Sequence, residues 1–199
     1  MMEQTNESWS SDQYKDTNRW FIGCELKQNI LKILNPYQKV SILEIGSYEG
    51  MSSVYFSDVL LQHPESTLIC VDPFDLCDTS TTLTNETKDT FMDNISKSKN
   101  YNKTTTCIMT SDEFFKNNHK DKFDFIYIDG SHVPDQILKD LQNAYNVIVK
   151  NGIIWMDDYL GGPPNDLSIK NTIDQFIHEH EDNIEIIHRN YQIAFRKLI

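Results

Sequence analysis

The chain has 199 residues, 39% of them hydrophobic, and a formal net charge of −12. That length fits one domain with a short extension, and the apolar content is too high for a disordered chain. The negative charge repels phosphate backbones and anionic lipid surfaces, which argues against nucleic acid or membranes as partners.

The first residues, MMEQTNESWSSDQYKD, carry no basic segment and no apolar run, so they do not read as a secretory leader. No apolar stretch approaches the ~20 residues of a membrane helix. Cys24, Cys70, Cys77 and Cys107 show neither metal-ligand nor disulfide-framework spacing. Reduced thiols in a cytoplasmic protein are the expectation.

Residues 1–18 are polar and unpatterned and read as a loose tail. Ile22, Leu26, Ile30 and Ile33/Leu34 recur at helical spacing and predict a helix over 19–34, stopped by Asn35-Pro36. Residues 1–37 are thus an N-terminal extension to a domain spanning 38–199. Trp20 and Phe21 are read as packing that helix on the core, or alternatively as closing over a site. The domain then alternates short apolar runs with helical patterns. Strands are predicted at 40–45, 67–71, 105–109, 123–128 and 153–156. Helices are predicted at 50–61, 86–96, 112–117 and 168–180. A further helix presents Ile137, Leu141, Ala144, Tyr145 and Ile148 on one face and is ended by Asn151-Gly152. The Thr-rich segment 78–90 is read as a loop, with a lid as the alternative. Segments 184–187 and 191–196 are close enough to form a hairpin. The alternation predicts an α/β fold: a Rossmann-like, mostly parallel, seven-stranded sheet with an antiparallel edge and helices on both faces.

The segment ILEIGSYEG falls at the first strand-to-helix turn. Gly46 and Gly50 allow a tight turn and close approach of a ligand, and the following helix offers free N–H groups to an anion. The dinucleotide fingerprint needs a middle glycine that this turn lacks, which argues against a nicotinamide oxidoreductase and suits a smaller anion such as an amino-acid carboxylate. The next strand ends in CVDPF, where Asp72 is placed to accept the hydroxyls of a ribose. An acid before the turn, Glu44, and an acid after the second strand together fit a nucleoside carrying an amino acid. S-adenosylmethionine is such a molecule. Taken alone, Gly46 and Asp72 would be ordinary turn residues.

Asp129 ends the strand FDFIYID, and Asp157 and Asp158 end the neighbouring strand IIWMDD. Three carboxylates at one mouth of the sheet repel each other unless a cation joins them. Oxygen ligands of this kind favour Mg²⁺ or another divalent cation. Singly, each aspartate reads as a turn or cofactor contact.

Together ILEIGSYEG, CVDPF, TSDEFF, FDFIYIDGSH and GIIWMDDY resemble the motifs of class I S-adenosylmethionine-dependent methyltransferases. Within that class they resemble the metal-dependent small-molecule O-methyltransferases of the catechol and macrocin types. The resemblance runs from about residue 38 to 197. It implies that Glu44, Gly46, Ser47, Tyr48, Gly50 and Ser52 surround the methionine part of the cofactor. It implies that Asp72 holds the ribose, that Ser111 and Asp112 border the adenine, and that Asp129 also meets the cofactor. Asp129, Asp157 and Asp158 match the metal ligands. Catechol-type enzymes carry a lysine three residues after the first metal aspartate, where this chain has His132. Sugar-directed relatives carry an acid where it has Ser131. His132 is therefore the candidate general base, with a solvent-facing residue as the alternative. Tyr159 and the loop 161–164 are read either as a wall of the acceptor pocket or as a plain turn.

The implied acceptor is a small hydroxylated molecule: a sugar or nucleotide-linked sugar first, a catechol or other vicinal diol second. Small members of the family often pair, so a homodimer is expected. Two alternatives stay open: a metal-independent methyltransferase of the same fold, and a non-catalytic protein that binds the cofactor for a partner.

Overall fold

The computed structural model describes residues 9–74, 85–118, 120–162 and 165–199. Seven strands form one sheet in the order β3-β2-β1-β4-β5-β7-β6. They are β1 Ser41–Ile45, β2 Thr67–Val71, β3 Thr104–Cys107, β4 Phe123–Ile128, β5 Ile148–Met156, β6 Ile184–Arg189 and β7 Ile193–Lys197. β1 to β5 run parallel, and β7 pairs antiparallel with both β5 and β6. The order turns back at β1, where β2 lies on one side and β4 on the other, and this is where an open sheet of this kind leaves a crevice.

The helices are α1 Glu25–Ile33, α2 Met51–Tyr55, α3 Asn85–Lys97, α4 Ser111–Asn118, α5 Pro134–Val147 and α6 Ser168–Glu179. They cover both faces of the sheet, so the core divides into two clusters. One holds Leu26, Ile30, Tyr55, Phe56, Phe125 and Trp155. The other holds Leu43, Ile126, Leu141, Ile173 and Phe195. Adjacent residues of one strand, such as Phe125 and Ile126, fall into different clusters because side chains alternate across a strand.

Several elements differ from their sequence prediction. The helix predicted from residue 19 begins at Glu25. Arg19 has φ +57, a left-handed conformation closed to a right-handed helix, and Phe21–Gly23 is a separate 3-10 turn. The expected loose tail is tied down from Trp9 onward: the Trp9 indole and the Tyr14 hydroxyl both donate to Asp58, at 3.0 and 2.6 Å. The helix predicted over 50–61 widens into a π turn at Phe56–Leu60. Ile148 belongs to β5, paired with Phe123, rather than to the helix before it. The Asn151-Gly152 pair lies inside that strand at an irregularity in register. The β-branched run Val147-Ile148-Val149 favours the extended form. Of the Thr-rich segment, Asn85–Thr90 is helical, and the rest lies outside the described residues, as do Cys77 and Pro163-Pro164. Cys24, Cys70 and Cys107 are unpaired. Among the described residues no helix is long and apolar enough to cross a membrane.

Candidate active site

A cleft of about 1320 Å³ runs across the carboxyl ends of β1, β2, β4 and β5. Its wall includes Gly46, Ser47, Tyr48, Ser52, Asp72, Ser111, Asp112, Asp129, His132, Asp157 and Asp158. Glu44 and Gly50 are not in the wall.

The glycine turn is built by contacts within the protein. Gly46 has φ +83, and a Cβ there would stand 2.0 Å from the carbonyl oxygen of Asp129. Its missing side chain therefore lets β1 approach β4, rather than a ligand. Gly50 has φ +86 and packs against the Phe91 ring. Tyr48 adopts φ +48, which is unusual for a bulky residue. It is held there because Ser47 N and Tyr48 N both donate to Asp72 Oδ2, at 2.8 and 3.0 Å. Asp72 Oδ1 accepts from Phe74 N at 2.8 Å. Asp72 thus takes up the amides of the turn itself, while the expected anion-binding amides are those at the start of α2. That carboxylate still has acceptor capacity for a hydroxyl, since a carboxylate takes about four hydrogen bonds.

Glu44 lies beneath the turn and is fully buried. It points into the layer that also holds Ser47 and Ser53. One carboxylate oxygen accepts from both hydroxyls, from Ser47 at 2.9 Å, while Oε1 meets no donor among the described residues. Burial raises its pKa.

At the other end, the β4 and β5 termini bring Asp129, His132 and Asp158 together. One ligand atom from each lies within 4.8 Å of the others. This trio differs from the expected three aspartates. Asp157 Oδ2 accepts from the Tyr127 hydroxyl at 2.6 Å, and its Oδ1 accepts from Asp158 N at 2.8 Å. Asp158 has φ +49, which turns its side chain out of line with its neighbour. Its Oδ2 stands 2.8 Å from His132 Nε2, and its Oδ1 accepts from the Tyr191 hydroxyl at 2.5 Å. Asp129 accepts from Tyr127 at 3.1 Å. Enclosure, then the neighbouring Asp157 and Asp158, push the Asp129 pKa well above the carboxylate range. Its side chain faces the open cleft, so like-charge crowding is the durable part of that shift.

Two further parts of the wall come from outside the motifs, and only Trp20 and Phe21 among them carried a sequence reading, as residues that could close over a site. The β6–β7 turn contributes Tyr191 and Gln192, and Gln192 Oε1 accepts from Leu26 N and the Trp155 indole at 2.7 and 2.9 Å. The N-terminal segment contributes Asp16, Arg19, Trp20, Phe21 and Cys24. Tyr159 is buried and its hydroxyl donates to Asp174 at 2.9 Å, placing it in the α6 contact rather than the cleft wall.

The reversal of strand order at β1, the glycine turn facing an acid on β2, and the cleft across the carboxyl ends define the class I fold of S-adenosylmethionine-dependent methyltransferases. A family model described as a methyltransferase domain matches residues 43–159, more than half of the chain, and the chain belongs to that family. The O-methyltransferase TomG from Streptomyces achromogenes, involved in tomaymycin synthesis and solved with SAM, matches at TM-score 0.60 and 14% identity, over 81% of this chain and 74% of its own. An O-methyltransferase from Bacillus cereus in complex with SAH matches at 0.59 and 14%, over 80% and 74%. The fibrillarin pre-rRNA processing protein of Methanococcus jannaschii matches at 0.58 and 15%, over 88% and 74%. At these identities the likeness is one of fold. No curated protein matches the chain by sequence at a significant level.

Proposed function

We propose that the chain methylates an oxygen of a small hydroxylated acceptor, using S-adenosylmethionine and a divalent cation. The observation that carries this reading is the gathering of Asp129, His132 and Asp158 in the same cleft as the glycine turn and Asp72. The O-methyltransferases among the structural neighbours support oxygen as the methyl acceptor. The donor set fits a cation: two carboxylates suit Mg²⁺ or Mn²⁺, and an imidazole in place of the third carboxylate widens the choice. When bound, such a cation makes an acceptor hydroxyl more acidic.

In this reading the cofactor spans the cleft. Ser47, Tyr48 and Ser52 lie at its methionine end, Asp72 accepts from the ribose, and Ser111 and Asp112 meet the adenine. Glu44 and Gly50 act from beneath, by holding the turn. The chain's main contribution is alignment of oxygen, methyl and sulfur, which converts an encounter of two molecules into a step within one complex. His132 is placed to move the acceptor's proton. Its Nε2 stands 2.8 Å from the Asp158 carboxylate, and in this role the imidazole is not a ligand, so that the carboxylates alone hold the cation. The acidic wall favours a neutral acceptor, a free sugar or vicinal diol, over one carrying phosphates, and it disfavours nucleic acid.

The test is release of the demethylated cofactor over a panel of free sugars and catechols, with and without a chelator. Turnover should vanish in chelator and return with Mg²⁺ or Mn²⁺, and Asp129→Asn should abolish Mn²⁺ binding measured by calorimetry. Full activity in chelator would favour the metal-independent alternative.

A further inference from the structure

The amino-acid end of S-adenosylmethionine carries a carboxylate, and the glycine turn has few amides left for it. Ser47 N and Tyr48 N donate to Asp72, Gly46 N to the Val71 carbonyl at 2.9 Å, and Gly50 N to the Ser47 carbonyl at 2.7 Å. A carboxylate entering this part of the cleft can still meet the first amides of α2, but a charge-assisted partner has to come from outside the turn.

The N-terminal segment lies over the same turn. Thr17 N and Oγ1 donate to the Glu49 carboxylate at 2.8 and 2.7 Å, and Asn18 Nδ2 donates to the Tyr48 hydroxyl at 2.9 Å. The Trp20 ring stands 5.2 Å from that of Tyr48. Lys15 is clasped to Asn94 through both its N–H and its carbonyl. These contacts fix Arg19 at the cleft wall. Its backbone is left-handed, at φ +57, and its N–H donates to Asp16 Oδ1 at 2.7 Å. A residue of this size rarely adopts this conformation unless its surroundings impose it, so the clasp sets the direction in which the side chain leaves the backbone. Among the described residues no ion pair engages its guanidinium, and it is the only arginine or lysine in the wall.

We infer that Arg19 receives the carboxylate of the cofactor's amino-acid end, so that the N-terminal segment completes the cofactor site. A planar guanidinium meets a carboxylate with two parallel hydrogen bonds, which a lysine cannot reproduce. The inference rests on the cofactor reading above and adds a residue to it.

Calorimetry with two ligands tests it. S-adenosylhomocysteine has the amino-acid end, and 5′-methylthioadenosine keeps the adenosine and sulfur but lacks that end. Arg19→Ala should weaken S-adenosylhomocysteine about tenfold or more and leave 5′-methylthioadenosine within about twofold. Arg19→Lys should recover part of the loss. The thermal unfolding of both variants should match wild type, because Arg19 is exposed. An equal loss for both ligands would mean the segment only shapes the cleft, and would overturn the assignment. So would unchanged binding of S-adenosylhomocysteine to Arg19→Ala. Wild-type protein that binds neither ligand would instead overturn the cofactor reading, and this assignment with it.

Discussion

Gly46 is where the glycine turn and the β4 terminus touch, and replacing it with alanine tests how the site is held. The new Cβ would meet Asp129 O at 2.0 Å, Asp129 C at 2.5 Å and Gly130 Cα at 2.7 Å, all backbone atoms with no rotamer to change. A normal contact is ~3.5–4.0 Å, so the two strand ends have to part by more than about 1 Å. Overpacking of that kind costs about 1–3 kcal/mol. Holding alanine at φ +83 adds about 1–2 kcal/mol. The total, about 2–5 kcal/mol, is a large share of an ordinary domain's stability of roughly 5–15 kcal/mol. The displaced backbone belongs to Asp129, so cofactor binding and turnover should fall as well. A misplacement of ~1 Å is worth about a hundredfold in rate. Gly23→Ala is the control, because nothing lies within 4 Å of a Cβ there and its φ is not left-handed. It should be neutral or stabilise by up to ~1 kcal/mol. Urea unfolding with S-adenosylhomocysteine calorimetry measures both effects. Gly46→Ala within ~0.5 kcal/mol of wild type and with unchanged affinity would refute this account of the turn.

Two further outcomes follow from the side chains around the cleft. His132→Ala should lower kcat by about 10²–10⁴ if the imidazole is the general base, with S-adenosylhomocysteine affinity unchanged. If the imidazole serves as a metal ligand instead, raising the cation concentration should restore the variant's rate, and a loss below threefold would exclude both roles. Asp140 is buried beside Ser111 and Gln136, and burial raises its pKa to about 6 from 3.8. Between those values the folded protein keeps a proton that the unfolded chain has released, so stability falls as pH rises through this window. Asp140→Asn should therefore stabilise by about 2–3 kcal/mol at pH 8 and by little at pH 3.5. Equal shifts in urea midpoint at both pH values would refute that sign.

The parallel sheet was legible because strands buried on both faces are almost wholly apolar, as in Phe123–Ile128. The positions of Asp72, Asp129 and Asp158 at strand ends followed from strand boundaries alone. Which groups face one another did not. That Asp157 turns to Tyr127 while His132 joins Asp158 depends on the left-handed backbone of Asp158, and no side-chain pattern encodes it. The N-terminal segment was misread for a related reason. It is held by single pairings, such as Thr17 with Glu49 and Lys15 with Asn94, and these leave no period in the sequence. The onset of β5 was missed because Ile148 continues the apolar face of α5 while also opening a β-branched run.

The cleft's charge is less uniform than its composition suggests. Asp16, Glu25, Asp72, Asp112, Asp129, Asp140, Asp157 and Asp158 all line it. Glu25 is paired with His188 at 2.7 Å and also accepts from Gln192 N, and Asp72 is satisfied by three amides. Asp129 and Asp140 both have raised pKa values. A raised pKa favours the protonated form, so the crowding of carboxylates at the ends of β4 and β5 is relieved by a proton or a cation, and the arginine stands over the glycine turn on the other side. A zwitterionic cofactor with a cationic sulfur matches that polarity, with its carboxylate toward Arg19 and its sulfonium toward the acids. An acceptor bearing phosphates does not match it, because its charge would have to enter beside Asp129 and Asp158. The same separation explains why the net charge of −12 gave only half of the answer. It disfavours polyanions as partners, but in the proposed site it is a single cation, Arg19, that would set which end of a small ligand goes where.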